Sequence, residues 1–230
     1  MQSSFPFEQT KSLSPATEHE SAAGLGQAHE VIEVDHGRLD LYHQFLPPQA
    51  ADRLFQHLQA SLQWQQARIR MHGKEIPIPR LQAWYGDRDT AYGYSGIALD
   101  PLPWVSELQW LREQLNERFA EAFHTHFNSA LCNLYRHGQD SVSWHADSES
   151  ALGTNPVIAS VSLGAVRRFQ LKPRRGRREA LSLDLPHNSV LIMSGALQHH
   201  WIHQVPKTRQ TVGPRINLTF RRIVADAAGR

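Results

Sequence analysis

The 230-residue chain lacks several features that define common classes of protein. It contains one cysteine, Cys132, so an intrachain disulfide is excluded and a reducing compartment is expected. No apolar run approaches the ~20 residues of a membrane span, and the N-terminus lacks the basic-then-apolar layout of a signal peptide. We therefore expect a cytoplasmic protein that does not contact a membrane. Internal repeats and glycine motifs of the G-x-G-x-x-G or Walker type are also missing, which argues against a nucleotide-dependent enzyme.

Acidic residues are scarce in the last third of the chain. The formal net charge of +2 combines 11 Lys/Arg and 19 Asp/Glu in residues 1–150 with 13 Lys/Arg and 3 Asp/Glu in residues 151–230. One segment without any acidic residue contains seven basic ones: Arg167, Arg168, Lys172, Arg174, Arg175, Arg177 and Arg178. Such a segment predicts a surface for polyanions. A solvated hairpin tip without a function is the alternative.

The N-terminal half divides into a polar tail and two helices. Residues 1–27 have no sustained apolar period and are expected to be disordered. Residues 28–224 are expected to form one domain, followed by a short C-terminal tail at 225–230. Within the domain, residues 31–46 predict peripheral strands, and apolar residues recur at helical spacing over 54–62 and 108–123. We expect both helices to be structural supports.

The segment 68–96, between the helices, has little helical periodicity and many glycines and prolines. Its Met71-His72-Gly73-Lys74 stretch predicts a hairpin tip at which Gly73 supplies a positive φ. Aromatic residues, arginines and glycines are interleaved in the remainder of the segment. Side chains of this kind can stack on nucleobases. Packing in the core is the other interpretation of the same aromatic residues.

The C-terminal half is a succession of short β-rich stretches separated by turn residues. These predicted strands cover residues 130–136, 157–163, 166–172, 189–194, 201–205 and 215–222. Many short strands after N-terminal helices are typical of a barrel or jelly roll flanked by helices. We therefore predict an α+β fold that is mainly β.

The stretch Trp144-His145-Ala146-Asp147 suggests a metal site. In an extended strand His145 and Asp147 would project to the same side, as two ligands of a 2-His-1-carboxylate triad that holds Fe(II) and leaves coordination positions open. A polar strand end with a solvated aspartate is the simpler alternative. The third ligand would have to come from His199, His200 or His203, and spacing alone does not choose among them.

The last predicted strand has two chemically different faces. One face consists of Ile216, Leu218 and Phe220, and the other consists of Arg215, Asn217, Thr219 and Arg221. If the polar face points into a barrel, its guanidinium groups need anions, because an unpaired buried charge costs several kcal/mol. A dicarboxylate ligand would meet that need through charge-assisted, often bidentate, hydrogen bonds. Asn133 and Tyr135 share one face of an earlier strand in the same way.

In this order, these residues resemble the AlkB family of Fe(II)/2-oxoglutarate-dependent dioxygenases. The resemblance is carried by Asn133-x-Tyr135, His145-x-Asp147, His203 and Arg215-x-Asn217-x-Thr219-x-Arg221, and it extends over residues 79–223. Within the family the chain looks most similar to the eukaryotic-type DNA repair homologues, on the basis of Pro79-Arg80, Tyr85-Gly86-Asp87 and Tyr92-Gly93-Tyr94-Ser95-Gly96. The resemblance implies a double-stranded β-helix (jelly roll) core, flanked by the N-terminal helices and by a nucleotide-recognition hairpin region at 68–96.

The resemblance implies a role for each matched residue. His145, Asp147 and His203 would bind Fe(II), which selects His203 as the third ligand. Arg215 would pair with the distal carboxylate of 2-oxoglutarate, with help from Tyr135. The remainder of the 2-oxoglutarate pocket would consist of Asn133, Asn217, Thr219 and Arg221. With O2 as the other cosubstrate, the reaction would yield succinate and CO2, hydroxylate an N-methyl group and release formaldehyde.

The resemblance also implies alkylated DNA as the partner, with 1-methyladenine and 3-methylcytosine as substrates. Tyr94 would stack on the flipped base opposite His145, and Glu149 would sense the positive charge of the base. Further contacts would come from Tyr92 and Arg80, and from Met71 and His72 at the hairpin tip. Met and His stand there in place of the bulkier apolar wedge expected in relatives that act on duplexes, so no preference for duplex DNA is predicted.

Two alternatives to DNA repair follow from the same residues. The first is the same iron and 2-oxoglutarate chemistry on RNA or protein, and the second is a non-catalytic nucleic-acid-binding jelly roll. A complete ligand triad beside an arginine-bearing strand argues against the second alternative. We expect a monomer that is associated with the nucleoid in a bacterium or located in the nucleus in a eukaryote.

Overall fold

The computed structural model describes residues 29–71, 73–88, 90, 92–94, 97–99, 101–176 and 180–224. Several residues named above lie outside the described residues, namely His72, Ser95, Gly96, Arg177 and Arg178, together with the side chains of Met71, Tyr92 and Tyr94. The two predicted tails, at 1–27 and 225–230, also lie outside them.

Two antiparallel sheets form the centre of the molecule. The larger sheet consists, in spatial order, of β1 (His29–Val34), β2 (Gly37–Tyr42), β13 (Ser189–Gly195), β10 (Ile158–Gly164), β15 (Arg215–Arg221), β8 (Ser129–Tyr135) and β5 (Leu81–Gly86). The smaller sheet consists of β12 (Leu181–Leu185), β11 (Arg167–Pro173), β14 (Trp201–Val205) and β9 (Val142–His145). Apolar side chains from both sheets pack in one cluster, with Leu191 on the larger sheet and Phe169 on the smaller. This arrangement confirms the predicted jelly roll.

Helices cover the outer face of the larger sheet. They are α1 (Pro48–Ser61) and α2 (Ser106–Phe123), whose buried leucines pack in one core cluster with apolar residues of β8, β10 and β15. Pro48 lies in the first turn of α1, where the missing N–H costs nothing. A third, one-turn helix is α3 (Leu197–His200). Within the part of the chain that the structure describes, no helix is both long and apolar enough to cross a membrane.

Two short hairpins lie on either side of β5 in the segment between α1 and α2. The first pairs β3 (Arg68–Met71) with β4 (Lys74–Pro77), and Gly73 at its tip has a φ of +78°. The predicted hairpin is thereby confirmed. The second pairs β6 (Tyr92–Tyr94) with β7 (Ile97–Leu99).

The six strands predicted in the C-terminal half begin and end within one residue of their predicted positions, because their apolar runs are bounded by turn residues. No bounds were predicted for β9 and β12. Residues 31–46 were expected to be peripheral, and this was wrong for β2. That strand lies between β1 and β13 in the larger sheet, and its Leu39 and Leu41 are fully or almost fully buried. Its residues pair with residues of β13 that lie 148 to 158 positions further along the chain, and no local pattern in the sequence predicts this pairing.

Candidate active site

Two histidines face each other across neighbouring strands of the smaller sheet. His145 ends β9 and is paired in register with His203 of β14, and the centroids of their rings are 4.3 Å apart. Nδ1 of His145 lies 2.8 Å from the carbonyl oxygen of Ser143. A carbonyl only accepts hydrogen bonds, so Nδ1 carries the proton and the lone pair of Nε2 is available to a metal.

Asp147 completes the group, although it does not lie on a strand. β9 ends at His145, so the expectation that both residues share one strand face was wrong. The irregular segment after β9 nevertheless turns the carboxylate back towards the histidines. One ligand atom from each of His145, Asp147 and His203 lies within 4.8 Å of the others. His199 and His200 are exposed on α3 and are not part of this group.

Burial and charge prepare these side chains for a cation. Burial alone would raise the pKa of Asp147, but the positive charge of Arg221 and the two histidines lower it to about 2. Burial lowers the pKa of His203 to about 3, with a further contribution from His145. At neutral pH the site therefore offers a carboxylate and a neutral imidazole, which are the protonation states that a metal requires.

The polar face of β15 points into the same cavity. Arg215, Asn217, Thr219 and Arg221 line it together with the three residues of the candidate metal group. Nη2 of Arg215 donates to Oγ of Ser162 at 2.8 Å, and Nδ2 of Asn217 donates to Oγ of Ser160 at 2.8 Å. Both serines lie on β10, which is adjacent to β15. The neighbouring strand thus holds the arginine and the amide in fixed orientations.

Strand β8, which pairs with β15 on the side away from β10, extends the same wall of the cavity. Asn133 and Tyr135 line the cavity, and the carbon of the Arg215 guanidinium lies 5.3 Å from the centre of the Tyr135 ring. Burial lowers the pKa of Arg215 to about 10, and Tyr135 opposes this shift, so the guanidinium is charged at neutral pH. Arg80 is 5% exposed and also lines the cavity. Its Nε donates to Oδ1 of Asn133 at 2.8 Å.

The unsatisfied polar atoms of this cavity fit a metal and an anion. Oδ1 of Asp147 is buried and accepts no hydrogen bond from any described residue. Nε and Nη1 of Arg215 are buried and have no hydrogen-bond partner of good geometry within the described ranges. Buried polar groups in native proteins normally have partners, and these atoms are a cation ligand and two anion donors. The residues present therefore fit Fe(II) and the carboxylate of 2-oxoglutarate.

Of the candidate substrate residues, only some have side chains among the described residues. Glu149 follows Asp147 by two positions, and its Oε2 is buried with no hydrogen-bond partner in the described part of the chain. Apolar side chains line the cavity near the candidate metal group, namely Val142, Phe169, Met193 and Val205. The hairpins that carry Met71, Tyr92 and Tyr94 are present, whereas the positions of these side chains lie outside the described residues.

The basic segment divides into three environments. Arg167 is 3% exposed, and its Nη2 donates to the carbonyl oxygens of Asp140 and Pro206, so it is not part of a polyanion surface. Arg168 pairs with Asp184 on the neighbouring strand, with Nε and Oδ1 3.3 Å apart. Arg174 and Arg175 line a cleft of about 590 Å³ together with His36, His199 and His200. The acidic partner of Arg168 therefore lies outside the basic segment, which itself contains no acidic residue.

Two kinds of functional side chain were missed in the sequence. Ser160 and Ser162, which orient Asn217 and Arg215, occupy alternate positions of an otherwise apolar strand, and this alternation was a usable signal. Gln198 contacts Asp147 from α3 across 51 positions of sequence. No local pattern predicts a contact of that kind.

Comparisons with known proteins agree with this geometry. Residues 38–221 match the family model of the 2OG-Fe(II) oxygenase superfamily. The chain is 39% identical over 201 residues to the alpha-ketoglutarate-dependent dioxygenase alkB homolog 3 of Homo sapiens, covering 84% of this chain and 68% of that protein. It is 38% identical over 184 residues to the DNA oxidative demethylase ALKBH2 of Bos taurus, covering 76% of this chain and 65% of that protein. The solved structure of OsALKBH1 superimposes with a TM-score of 0.55 at 17% identity, covering 80% of this chain and 97% of that chain, and this likeness shows the fold alone.

A jelly roll that brings two histidines, an aspartate and a buried arginine into one cavity defines the class of Fe(II)- and 2-oxoglutarate-dependent dioxygenases. Within that class, the chain belongs to the AlkB family. Fe(II), 2-oxoglutarate and O2 are the cofactor and cosubstrates that this family uses.

Proposed function

We propose that the protein is a DNA repair dioxygenase that removes methyl groups from N-alkylated bases, with 1-methyladenine and 3-methylcytosine in DNA as its substrates. One observation carries the proposal: a group with the donor set of a facial triad lies in one cavity with a buried, incompletely bonded arginine. Two relatives, in Bos taurus and Mus musculus, that are each 38% identical over 184 residues are DNA oxidative demethylases by name.

In this proposal the residues divide into a metal set and a 2-oxoglutarate set. His145, Asp147 and His203 hold Fe(II), with Oδ1 of Asp147 as the ligand oxygen because Oδ2 is paired with Arg221. Arg215 binds the distal carboxylate of 2-oxoglutarate beside Tyr135. Asn133, Asn217, Thr219 and Arg221 complete the pocket.

The bound cofactors supply the oxidising power for inserting one oxygen atom into a C–H bond of the N-methyl group. The other oxygen atom enters succinate as 2-oxoglutarate loses CO2. The hydroxymethyl product then breaks its C–N bond: the ring nitrogen keeps the electron pair, which neutralises the cationic base, the hydroxyl group loses its proton, and formaldehyde leaves. The task of the protein is positioning and exclusion of water, for which the apolar wall formed by Phe169, Met193 and Val205 is suited.

The proposed substrates match the chemistry of the surrounding residues. Methylation at these positions blocks Watson–Crick pairing and adds a positive charge, so extrusion of the base costs less than for a normal base. Glu149, whose buried Oε2 has no hydrogen-bond partner among the described residues, is the carboxylate we assign to the charge of the base. We assign base stacking to Tyr92 and Tyr94 of the second hairpin. Met71 and His72 of the first hairpin would contact the strand from which the base is extruded.

We assign the phosphate backbone to the cleft that contains Arg174 and Arg175. The cleft lies close to the candidate metal group, because Nη2 of Arg174 donates to Oγ of Ser148, the residue that follows Asp147. Two arginines in a cleft of this size fit a phosphodiester. Arg80 has a different position from the one expected of a residue that binds DNA, since it is buried against Asn133. We therefore assign to Arg80 a role in orienting Asn133 at the wall of the cavity.

The test is a substrate panel. The protein is incubated with Fe(II), 2-oxoglutarate and O2, together with methylated single-stranded DNA, duplex DNA, RNA and peptides, and succinate and formaldehyde are measured. The proposal expects the highest substrate-dependent yield of both products with methylated DNA. A preference for RNA or peptide would replace the proposed substrate while retaining the chemistry. A lack of stimulation by any member of the panel would contradict the enzymatic function.

We further propose that the protein acts as a monomer wherever the genome of its cell is located, in the nucleoid or the nucleus. The cavity is built from strands of one chain, and all the residues assigned to metal and 2-oxoglutarate lie between positions 133 and 221. A mass measurement by light scattering, with and without a methylated oligonucleotide, tests the monomer.

A further inference from the structure

The metal-ligand candidate Asp147 is the member of its group that no strand holds. His145 and His203 are paired with each other in the smaller sheet, whereas Asp147 lies beyond the end of β9. Its backbone N–H donates to Oε1 of Gln198 at 3.0 Å. This bond joins the irregular segment after β9 to the one-turn helix α3, and Asp147 is 1% exposed, so water does not replace the bond.

Gln198 is itself held in place on three sides. It is 1% exposed, and its Nε2 lies 3.7 Å from the sulfur of Met193, a residue of the cavity wall. Its backbone carbonyl oxygen accepts a hydrogen bond of 3.2 Å from Nη2 of Arg174. The same Nη2 donates to Oγ of Ser148 at 3.2 Å, next to Asp147. The orientation of the side-chain amide is set by Asp147, because only the amide oxygen can accept the N–H of that residue.

The position of α3 is set by close packing against the start of β2. Gly195, which precedes α3, has a φ of +71°, a conformation that favours glycine. A Cβ on Gly37 would lie 2.9 Å from the Cβ of Leu197, the residue before Gln198. Because Gly37 has no side chain, α3 approaches β2 closely enough to place the Gln198 amide beside Asp147.

We propose that Gln198 is a positioning residue that fixes the carboxylate of Asp147 for metal binding. The inference rests on the metal assignment proposed above. Without the amide oxygen, the buried N–H of Asp147 has no acceptor and the segment that carries the carboxylate is free to shift. Outer-shell hydrogen bonds of this kind typically change metal affinity by about 10- to 100-fold when they are removed. A role confined to folding would leave the affinity of the folded protein unchanged.

The experiment measures Mn2+ binding to the full chain by titration, without 2-oxoglutarate or nucleic acid. Gln198→Leu should bind Mn2+ about 10- to 100-fold more weakly than the native protein. Gln198→Glu keeps an acceptor oxygen at the same distance from the backbone and should recover most of the affinity. The matched control is Gln204→Leu. Nε2 of Gln204 donates to Oε1 of Gln170 at 2.7 Å on the face of the smaller sheet that points away from the cavity. The Gln204→Leu variant should therefore bind Mn2+ like the native protein.

Two further variants make every outcome decisive. If Gln198→Leu does not fold, Gln198→Met replaces the amide by an unbranched side chain of similar length that also lacks the oxygen. Asp147→Ala separates the two proposals: native affinity in this variant would overturn the metal assignment itself. If Asp147→Ala loses Mn2+ while folded Gln198→Leu or Gln198→Met binds it as tightly as the native protein, the positioning role is refuted and the metal assignment survives.

Discussion

Nη2 of Arg221 lies 3.0 Å from Oδ2 of Asp147, and the two side chains are 4% and 1% exposed. The last strand of the larger sheet thereby reaches across the cavity to the irregular segment that follows β9. One carboxylate oxygen, Oδ2, is thus paired with a guanidinium, whereas the other, Oδ1, is buried and has no hydrogen-bond partner among the described residues. The positive charge also opposes the effect of burial on the pKa of Asp147, which is about 2.

Asp147→Ala should abolish Mn2+ binding and substrate-dependent succinate formation, because one of three ligand atoms is removed. The substitution also leaves the Arg221 guanidinium buried without the Asp147 carboxylate, which should lower the free energy of unfolding by about 3–5 kcal/mol. Metal titration and urea denaturation measure the two effects separately. Full turnover by this variant would contradict the ligand assignment.

Arg215→Lys should raise the KM for 2-oxoglutarate by roughly 10- to 100-fold. The ammonium group of lysine keeps the positive charge but lacks the paired N–H donors of a guanidinium. Hydrogen bonds to charged groups contribute about 1.5–3 kcal/mol each, which corresponds to a change of this size. Initial rates at varied 2-oxoglutarate give the KM. The control is Arg136→Lys, whose native guanidinium pairs with Asp140 outside the cavity at 2.8 Å. An Arg215→Lys enzyme with the KM of the control would refute the carboxylate assignment.

The double substitution Arg174→Ala and Arg175→Ala should weaken oligonucleotide binding and make its salt dependence shallower. For single-stranded DNA, the slope of log K against log salt should decrease by about 0.7 for each phosphate that the variant no longer neutralises. Fluorescence anisotropy over a range of salt concentrations measures this slope. Arg168→Ala is the matched control from the same basic segment, since Arg168 is paired with Asp184. Equal slopes for the native protein and the double variant would refute phosphate binding in the cleft and support the alternative of a solvated surface without a ligand.

Cys132 should resist alkylation in the native protein. It is fully buried on β8, and burial raises the pKa of its thiol, so the reactive thiolate is scarce and inaccessible at neutral pH. Because the chain has no other cysteine, mass spectrometry of iodoacetamide-treated protein reports on this site alone. Labelling should follow unfolding in a urea series. Labelling in water at the rate seen in denaturant would contradict the burial of β8.

Much of the candidate site could be predicted because its polar residues alternate with apolar residues along short strands. Arg215, Asn217, Thr219 and Arg221 lie at every second position of a strand, and the structure places all four in one cavity. The bounds of the six predicted strands in the C-terminal half were also predictable, because turn residues delimit each of those apolar runs. Backbone periodicity was therefore sufficient to find the face that carries the arginines.

Contacts between distant segments could not be predicted in this way. Asp147 reaches the histidines through an irregular turn, although strand alternation was the reason for pairing it with His145. Arg167 looks like the rest of its basic segment in sequence, yet it is buried because its guanidinium finds carbonyl oxygens at Asp140 and Pro206. Burial of a charge depends on partners that only the tertiary fold supplies.

The most direct test of the proposed repair function follows the fate of a single methyl group. A single-stranded oligonucleotide with one 3-methylcytosine is incubated with the protein, Fe(II) and 2-oxoglutarate in air, and both the oligonucleotide mass and the released formaldehyde are measured, with Asp147→Ala in parallel. The proposed function predicts an oligonucleotide restored to unmodified cytosine, one formaldehyde for each methyl group removed, and no change with Asp147→Ala. An unchanged oligonucleotide with the native protein, under conditions in which it binds Mn2+, would contradict DNA demethylation.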